Sequence, residues 1–185
     1  MNMPDEPVIQ LARAYHFAAS RHVSQRRKGA AAEPYMNHLT EVAELVAEAS
    51  AGDITLMTAA VLHDSVEDTE ATLEELEALF GSEVAALVAE VTDDKALPKQ
   101  VRKELQIEHA AKASHRAQII KLADKVSNLR SLANSPPAEW DPQRIKDYYL
   151  WAARVVDGCR PASDLLAASF DAEFRKGMGL RGSRG

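Results

Sequence analysis

The sequence is poor in the residues that mark several classes of protein. Cys159 is its single cysteine, so an internal disulfide is excluded and a disulfide-stabilised secreted scaffold is not expected. No apolar run approaches the ~20 residues that cross a bilayer, and no basic segment followed by an apolar one opens the chain. These absences predict a protein of the cytoplasm with no membrane partner.

Glycine, proline and aromatic residues are also sparse. The 185 residues include 8 glycines and 8 prolines, and aromatic side chains make up 5%. With 46% hydrophobic residues, this composition is typical of one globular domain. We predict a single domain over residues 1–176 and a flexible tail over 177–185, where glycine and arginine recur and apolar periodicity is lost.

Positive charge is in deficit, because the formal net charge is −6. Non-specific binding to nucleic acid depends on many lysines and arginines that neutralise phosphates, so a nucleic-acid partner is not expected. A small anionic ligand is compatible with this charge where basic residues cluster locally.

The residues that are abundant are helix formers. Ala, Leu and Glu recur, whereas alternating Val, Ile and Thr segments typical of strands are hard to find. The pattern predicts an all-α fold. Signals for the start of a helix occur at Asp53, Thr72, Ser114, Asp141 and Pro161.

The hexapeptide His63-Asp64-Ser65-Val66-Glu67-Asp68 is the densest group of metal-binding and proton-transferring residues in the chain. It follows an uncharged stretch, 59–62, that should be buried. On a continuous helix His63 lies above Glu67, and Asp64 lies above Asp68. Buried charges need partners or a cation, so the hexapeptide indicates a hydrolytic metal site.

Further ligands for such a site can come from two other helices, through His38 and Asp124. Each group also has an ordinary explanation. His38 fits a surface or capping residue, and the His63-Asp64 pair suits a helix C-terminus. Asp124 can instead pair with Lys121 or Lys125. The occurrence of these residues on three separate helices favours the metal site.

Glu67 and Asp68 allow two interpretations of about equal weight. A carboxylate beside the water that a metal activates can orient that water or take its proton. A solvated acidic helix end is the alternative, because Glu70, Glu74 and Glu75 follow closely.

Basic and polar residues suited to a polyanionic ligand flank these acidic groups. Two basic clusters occur, one at residues 26–28 and one over residues 95–103. Charged helix ends and, for Tyr148, groove packing are the alternatives. The residues that could meet such a ligand are Arg27, Lys28, Asn128, Ser131, Arg144 and Tyr148.

Five segments resemble, in family order, motifs of the HD superfamily and of the hydrolase domain of RelA/SpoT-type proteins. They are Gln25-Arg26-Arg27-Lys28, Pro34-Tyr35-Met36-Asn37-His38, His63-Asp64-Ser65-Val66-Glu67-Asp68-Thr69, Val91-Thr92-Asp93-Asp94-Lys95 and Lys121-Leu122-Ala123-Asp124-Lys125. The likeness runs from about Leu11 to Arg160. It is greatest to the stand-alone small alarmone hydrolases, including the metazoan type.

The resemblance implies a fold, a cofactor and a catalytic pair. The fold is a single HD-domain helical bundle of about nine or ten helices. The cofactor is Mn²⁺, and its implied ligands are His38, His63, Asp64 and Asp124. The implied catalytic residues are Glu67 and Asp68.

The resemblance also implies the substrate, which is a small guanine nucleotide. The reaction removes the 3′-pyrophosphate of ppGpp or pppGpp and gives GDP or GTP, which clears the alarmone of the stringent response. Arg27 and Lys28 match contacts to the guanine base. Asn128 and Ser131 match contacts to ribose or phosphate, and Arg144 and Tyr148 match other nucleotide contacts.

Two departures and two alternatives accompany this expectation. Ser65 stands where many relatives have threonine, and the 29–33 loop differs from the shorter glycine-containing loop of long bifunctional proteins. Phosphatase action on another nucleotide, including removal of the 2′-phosphate of NADPH, is an alternative activity. A nucleotide sensor without turnover is an alternative of another class. A homo-oligomer is compatible with the sequence, which identifies no face for it.

Overall fold

Ten α-helices account for most of residues 6–179, the part of the chain that the computed structural model describes. In chain order they are α1 Pro7–Arg21, α2 Met36–Ala49, α3 Ile54–Leu62, α4 Ser65–Asp68, α5 Leu73–Phe80, α6 Ser82–Val91, α7 Lys99–Lys112, α8 His115–Asn134, α9 Pro142–Asp157 and α10 Asp164–Gly177. Within this range the only strand-like pairing is an antiparallel bridge between Arg26 and Pro34. The prediction of an all-α bundle of about nine or ten helices is confirmed.

Short polar residues begin several helices where the sequence predicts. Asp53, Thr72, Ser114 and Asp141 each accept a hydrogen bond from a backbone N–H in the first turn of α3, α5, α8 and α9. These caps satisfy N–H groups that have no partner inside the helix, and each contributes about 1 kcal/mol. Local sequence therefore sets where these helices begin.

Helix α8 forms the centre of the bundle, because α2, α3, α6, α7, α9 and α10 all pack against it. Ile120, Leu122 and Leu129 of α8 are fully buried. Helix α3 is also enclosed, with α1, α2 and α6 around it. Apolar burial stabilises such elements by roughly 25 cal/mol per Å² removed from water. Functional residues on α8 and at the end of α3 are therefore held by the best-packed part of the fold.

The last helix begins later than the sequence predicts. Pro161 lies in a short 3₁₀ helix, Arg160–Ala162, whereas α10 begins at Asp164. Ser163 caps α10 by accepting a hydrogen bond from the Leu166 N–H, so the serine cap sets the start rather than the proline. Helix α10 ends at Gly177, and residues 180–185 of the predicted tail lie outside the described residues. The division at residues 176 and 177 stays a prediction.

No helix in the described range has both the length and the apolar character that crossing a bilayer requires. The cytoplasmic location and the oligomeric state stay predictions.

Adjacent leucines on α10 provide a test of the packing. Leu166 is fully buried, whereas Leu165 is 50% exposed. We expect Leu166→Ala to lower the free energy of unfolding by about 2–5 kcal/mol, because it removes apolar contacts and leaves a cavity. Leu165→Ala should change it by less than about 1 kcal/mol. Urea unfolding of both variants measures the difference, and equal losses would contradict the placement of α10.

Candidate metal and phosphoester site

Two imidazoles and two carboxylates from three parts of the chain converge at one point. His38 lies in the first turn of α2, Asp124 lies within α8, and His63 and Asp64 follow α3. The His38 Nε2 atom is 3.2 Å from Asp124 Oδ1 and 3.6 Å from Asp64 Oδ2. The His63 Nε2 atom is 3.1 Å from Asp64 Oδ2 and 3.8 Å from Asp124 Oδ1. The predicted ligand set is thus assembled in space.

The hydrogen bonding of His63 favours a cation at this point. Its Nδ1 atom is 2.8 Å from the Ala60 carbonyl oxygen, which can only accept, so Nδ1 carries a proton. The Nε2 atom is buried and makes no hydrogen bond, although the carboxylate of Asp64 is near. In neutral His63 a bare nitrogen then faces carboxylate oxygens. A divalent cation would satisfy all of these electron-pair donors, so the residues fit a metal.

The close contacts in this cluster strongly shift the pKa values of His63 and Asp64. Burial alone would lower the pKa of His63, but the negative charges of Asp64 and Asp124 outweigh it and raise this pKa to about 9. Burial would raise the pKa of Asp64, whereas His63 and His38 hold it well below its usual range. A proton on an imidazole and a bound cation therefore compensate the same negative charge.

Neighbouring side chains fix the two carboxylates. The Tyr35 hydroxyl donates to Asp64 Oδ2 at 2.6 Å. Lys125 Nζ donates to Asp124 Oδ2 at 2.9 Å, and Asn128 Nδ2 donates to Asp124 Oδ1 at 2.6 Å. The ion pair with lysine, an ordinary explanation for Asp124, therefore exists beside the contact with His38. Burial would raise the pKa of Asp124, but Lys125 and the imidazoles keep it below its usual range.

The hexapeptide is divided between two elements, so the continuous helix on which the predicted stacking relied does not form. Helix α3 ends at Leu62, and the single turn of α4 begins at Ser65. His63 and Asp64 occupy the break, where both can turn toward the buried ligand cluster. The Asp68 N–H still bonds to the Asp64 carbonyl oxygen at 2.8 Å, so α4 stays attached to the ligands.

Glu67 and Asp68 line the cavity beside the ligand cluster, in different surroundings. Burial, followed by the charges of Asp64 and Asp93, raises the pKa of Glu67 to about 7. Its carboxylate accepts a hydrogen bond from the Asp93 N–H at 3.2 Å. Asp68 accepts one from Gln25 Nε2 at 2.7 Å and also pairs with Lys95. The pair is therefore not a freely solvated helix end.

The cavity has a volume of about 830 Å³, and its lining combines the acidic ligand cluster with a basic and aromatic region that adjoins it. There the Arg144 guanidinium lies 4.5 Å from the centre of the Trp140 ring, and Lys103 Nζ lies 4.9 Å from that of Trp151. Burial and the charges of Arg144, Lys28 and Arg102 lower the pKa of Lys99. Several basic side chains therefore lie close together in this region, which suits a binding site for a polyanion.

Comparisons with known proteins agree with this geometry. The family model described as an HD domain matches residues 14–150. The guanosine-3′,5′-bis(diphosphate) 3′-pyrophosphohydrolase MESH1 of Homo sapiens is 46% identical over 168 residues, which cover 90% of this chain and 94% of that protein. The chain belongs to the HD-domain family.

Two further comparisons connect this HD domain with SpoT. The bifunctional (p)ppGpp synthase/hydrolase SpoT of Escherichia coli is 38% identical over 141 residues, which cover 73% of this chain and 20% of that protein. A solved structure described as a metazoan orthologue of SpoT that hydrolyses ppGpp has a TM-score of 0.89 and 44% identity. The match covers 98% of this chain and 100% of the chain in that structure. The resemblance to RelA/SpoT-type HD domains is confirmed.

All the site residues predicted from the sequence lie in or against this one cavity of the HD domain. His38 lies behind Asp64 and Asp124 and contacts both. The other predicted residues line the cavity: His63, Asp64, Glu67, Asp68, Asp124, Arg27, Lys28, Asn128, Ser131, Arg144 and Tyr148. Arg27 Nη2 donates to Asn128 Oδ1 at 3.0 Å, which links the basic tract to α8.

The 29–33 loop, which departs from the loop of the long proteins, is anchored to the segment after α8. The Ala31 N–H donates to Ser135 Oγ at 2.8 Å, and the Ala30 N–H donates to the Pro136 carbonyl oxygen at 3.3 Å. A Cβ atom on Gly29 would lie 2.2 Å from the Ser135 carbonyl oxygen, so glycine alone fits there. The close packing of Gly29 against Ser135 therefore holds the preceding Arg27 and Lys28 at the cavity.

Sequence reasoning missed the functional contacts of Tyr35, Trp140, Ser127 and Glu41. Tyr35 occurs within a family motif, but its bond to Asp64 depends on tertiary packing. A serine within α8 and a glutamate within α2 gave no signal in the sequence, although both lie next to His38 in the fold.

The raised pKa of Glu67 predicts a pH-dependent change in stability. In metal-free protein, we expect Glu67→Gln to raise the free energy of unfolding by up to about 2 kcal/mol at pH 8 and by much less at pH 5. The folded wild type favours neutral Glu67, so it loses stability as pH rises from the ordinary value of 4.5 toward about 7. Glutamine keeps an acceptor for the Asp93 N–H and does not ionise.

Urea unfolding of wild type and variant at both pH values measures this difference. Glu48→Gln, at an exposed position on α2, is the matched control and should show no such dependence. An equal effect of Glu67→Gln at pH 5 and pH 8 would contradict the raised pKa.

Proposed function

We propose that this HD domain hydrolyses guanosine 3′,5′-bis(diphosphate) and its pentaphosphate analogue to GDP or GTP and pyrophosphate, with Mn²⁺ as cofactor. One observation carries the proposal: a single cavity joins a metal-ligand set, an acidic pair and a cluster of cations. The near full-length match to proteins named for this activity supports it. The substrate is a small guanine nucleotide.

The metal would be held by His38, His63, Asp64 and Asp124. A divalent ion bound there would lower the pKa of a coordinated water and neutralise charge on the phosphoryl oxygens. Tyr35, Lys125 and Asn128 hold the carboxylates in place through the hydrogen bonds described above. Two imidazoles and two carboxylates form a set of ligands suited to a first-row divalent ion.

Glu67 and Asp68 are the proposed catalytic pair. Hydrolysis forms a bond between a water oxygen and the phosphorus attached to the ribose 3′ oxygen, and it breaks the bond between that phosphorus and the 3′ oxygen. The water loses a proton and the 3′ oxygen gains one. Glu67, a partly buried carboxylate beside the ligand cluster, is suited to accept the proton of that water. Asp68, fixed by Gln25 and Lys95, is suited to orienting the water.

The remaining residues would bind the nucleotide. Arg27 and Lys28 are the proposed contacts to the guanine base, and Asn128 and Ser131 are those to ribose or phosphate. Arg144 and Tyr148 are the proposed further contacts to the nucleotide, in the part of the cavity where Trp140 and Trp151 lie. There the neighbouring Lys99 and Lys103 add positive charge, and a substrate with two diphosphates carries the negative charge to match.

A product assay tests the proposed reaction. Wild-type protein with Mn²⁺ and ppGpp should release GDP and pyrophosphate, and removal of the metal with a chelator should abolish turnover. NADPH under the same conditions should be consumed far more slowly. Far faster release of phosphate from NADPH would overturn the proposed substrate. Binding of ppGpp without release of pyrophosphate would instead indicate a nucleotide sensor.

The separate roles of the acidic groups predict different effects of two variants. Asp68→Asn should lower kcat by roughly 10²-fold or more and leave Mn²⁺ affinity within about threefold of wild type, because Asp68 handles the water. Asp64→Ala should lose bound metal and activity together. Asp94→Asn, at an exposed position nearby, is the control and should behave as wild type. Loss of metal from Asp68→Asn would make Asp68 a ligand instead.

A further inference from the structure

A hydrogen-bonded chain runs from His38 away from the metal-ligand cluster. The His38 Nδ1 atom is 2.8 Å from Ser127 Oγ, and Ser127 Oγ donates to Glu41 Oε2 at 2.6 Å. Arg130 Nη1 donates to the other oxygen, Glu41 Oε1, at 3.0 Å. These atoms lie on α2 and α8, the helices that carry His38 and Asp124. Beyond His38, the members of this chain, Ser127, Glu41 and Arg130, belong neither to the proposed ligand set nor to the proposed catalytic pair.

The direction of each hydrogen bond follows from which groups can donate. The Glu41 carboxylate, paired with Arg130, only accepts, so the single Ser127 hydroxyl proton is committed to it. The Ser127 oxygen can then only accept from His38. The proton of neutral His38 therefore lies on Nδ1, and Nε2 presents its lone pair to the Asp64 and Asp124 side.

The residues joined by these hydrogen bonds differ in their exposure to solvent. Ser127 is 1% exposed and His38 is 3% exposed. The side chains of Glu41 and Arg130 are 32% and 35% exposed. Glu41 is thus partly hydrated, and the Ser127 hydroxyl links it by hydrogen bonds to the buried His38 ring. An apolar residue at 127 would leave the Nδ1–H buried without a partner, which costs about 1–3 kcal/mol.

We propose that Ser127 and Glu41 are positioning residues that fix the Nδ1–H tautomer and the ring orientation of His38, so that Nε2 is prepared to bind the divalent cation. This inference rests on the proposed function only in identifying that cation. Arg130 anchors the chain to α10 as well, because its Nε atom lies 3.5 Å from Glu173 Oε1. Packing of α10 against α8 therefore contributes to the geometry of His38.

Metal affinity is the first measurement. Free Mn²⁺ is titrated into metal-free protein and followed by its electron paramagnetic resonance signal. Ser127→Ala should weaken Mn²⁺ binding by about 10–100-fold, the usual cost of losing such an outer hydrogen-bond partner. Glu41→Gln, at a half-exposed position, should weaken it by a smaller factor of at least about threefold. Glu48→Gln on the same helix is the control and should bind as wild type.

The tautomer of His38 is the second measurement, and it needs no metal. ¹⁵N NMR of metal-free protein, at a pH where the ring is neutral, should show the Nδ1–H form in wild type and a mixture in Ser127→Ala. Affinities of Ser127→Ala and Glu41→Gln within twofold of wild type, or an Nε2–H tautomer in wild type, would overturn the proposal. A wild type with the Nδ1–H form that binds no Mn²⁺ would leave the positioning role intact and refute the proposed function.

Discussion

The structure depends on one constraint. Two imidazole nitrogens and two carboxylates lie close together in a buried place, and their lone pairs and negative charges repel one another. Asp64 and Asp124 lie beside the Nε2 atoms of two buried histidines, and isolated charges in such a place are costly. The pKa of His63 rises to about 9 because the carboxylates demand positive charge nearby. A divalent cation bound at this point would meet that demand.

The fold supplies the cluster with rigid supports. Helix α8 holds Asp124 at the centre of the bundle, and α2 holds His38 against α8. His63 and Asp64 lie at the break between α3 and α4, and α4 then places Glu67 and Asp68 beside them. The cavity consequently combines acidic residues that would bind a metal with basic residues that would bind phosphates. This combination of charges suits a nucleotide with several phosphate groups.

Much of this arrangement could be predicted from sequence, because it has local causes. Asp53, Ser114 and Asp141 cap helices through bonds to residues that follow closely, so their positions follow from short-range chemistry. The break at His63 could not be predicted, since the i,i+4 spacing of the hexapeptide is equally consistent with an unbroken helix. The last helix was wrongly predicted to begin at Pro161 for a related reason, because proline also suits a 3₁₀ turn.

The residues around the metal ligands were hidden from sequence because their partners are distant in the chain. Ser127 contacts Glu41 across two helices, and no periodicity relates them. Tyr35 likewise meets Asp64 only after α2 and α3 have packed. The proposed ligands could therefore be predicted because they lie in family motifs, whereas their hydrogen-bond partners are seen only in the tertiary structure.

Crystals grown with Mn²⁺ and measured at the manganese absorption edge would test the ligand cluster most directly. We predict one strong anomalous peak within about 2.0–2.6 Å of Nε2 of His38 and His63 and of a carboxylate oxygen of Asp64 and Asp124. A peak held only by Glu67 and Asp68, or no peak in the cavity, would contradict the assignment of these four residues as the metal site.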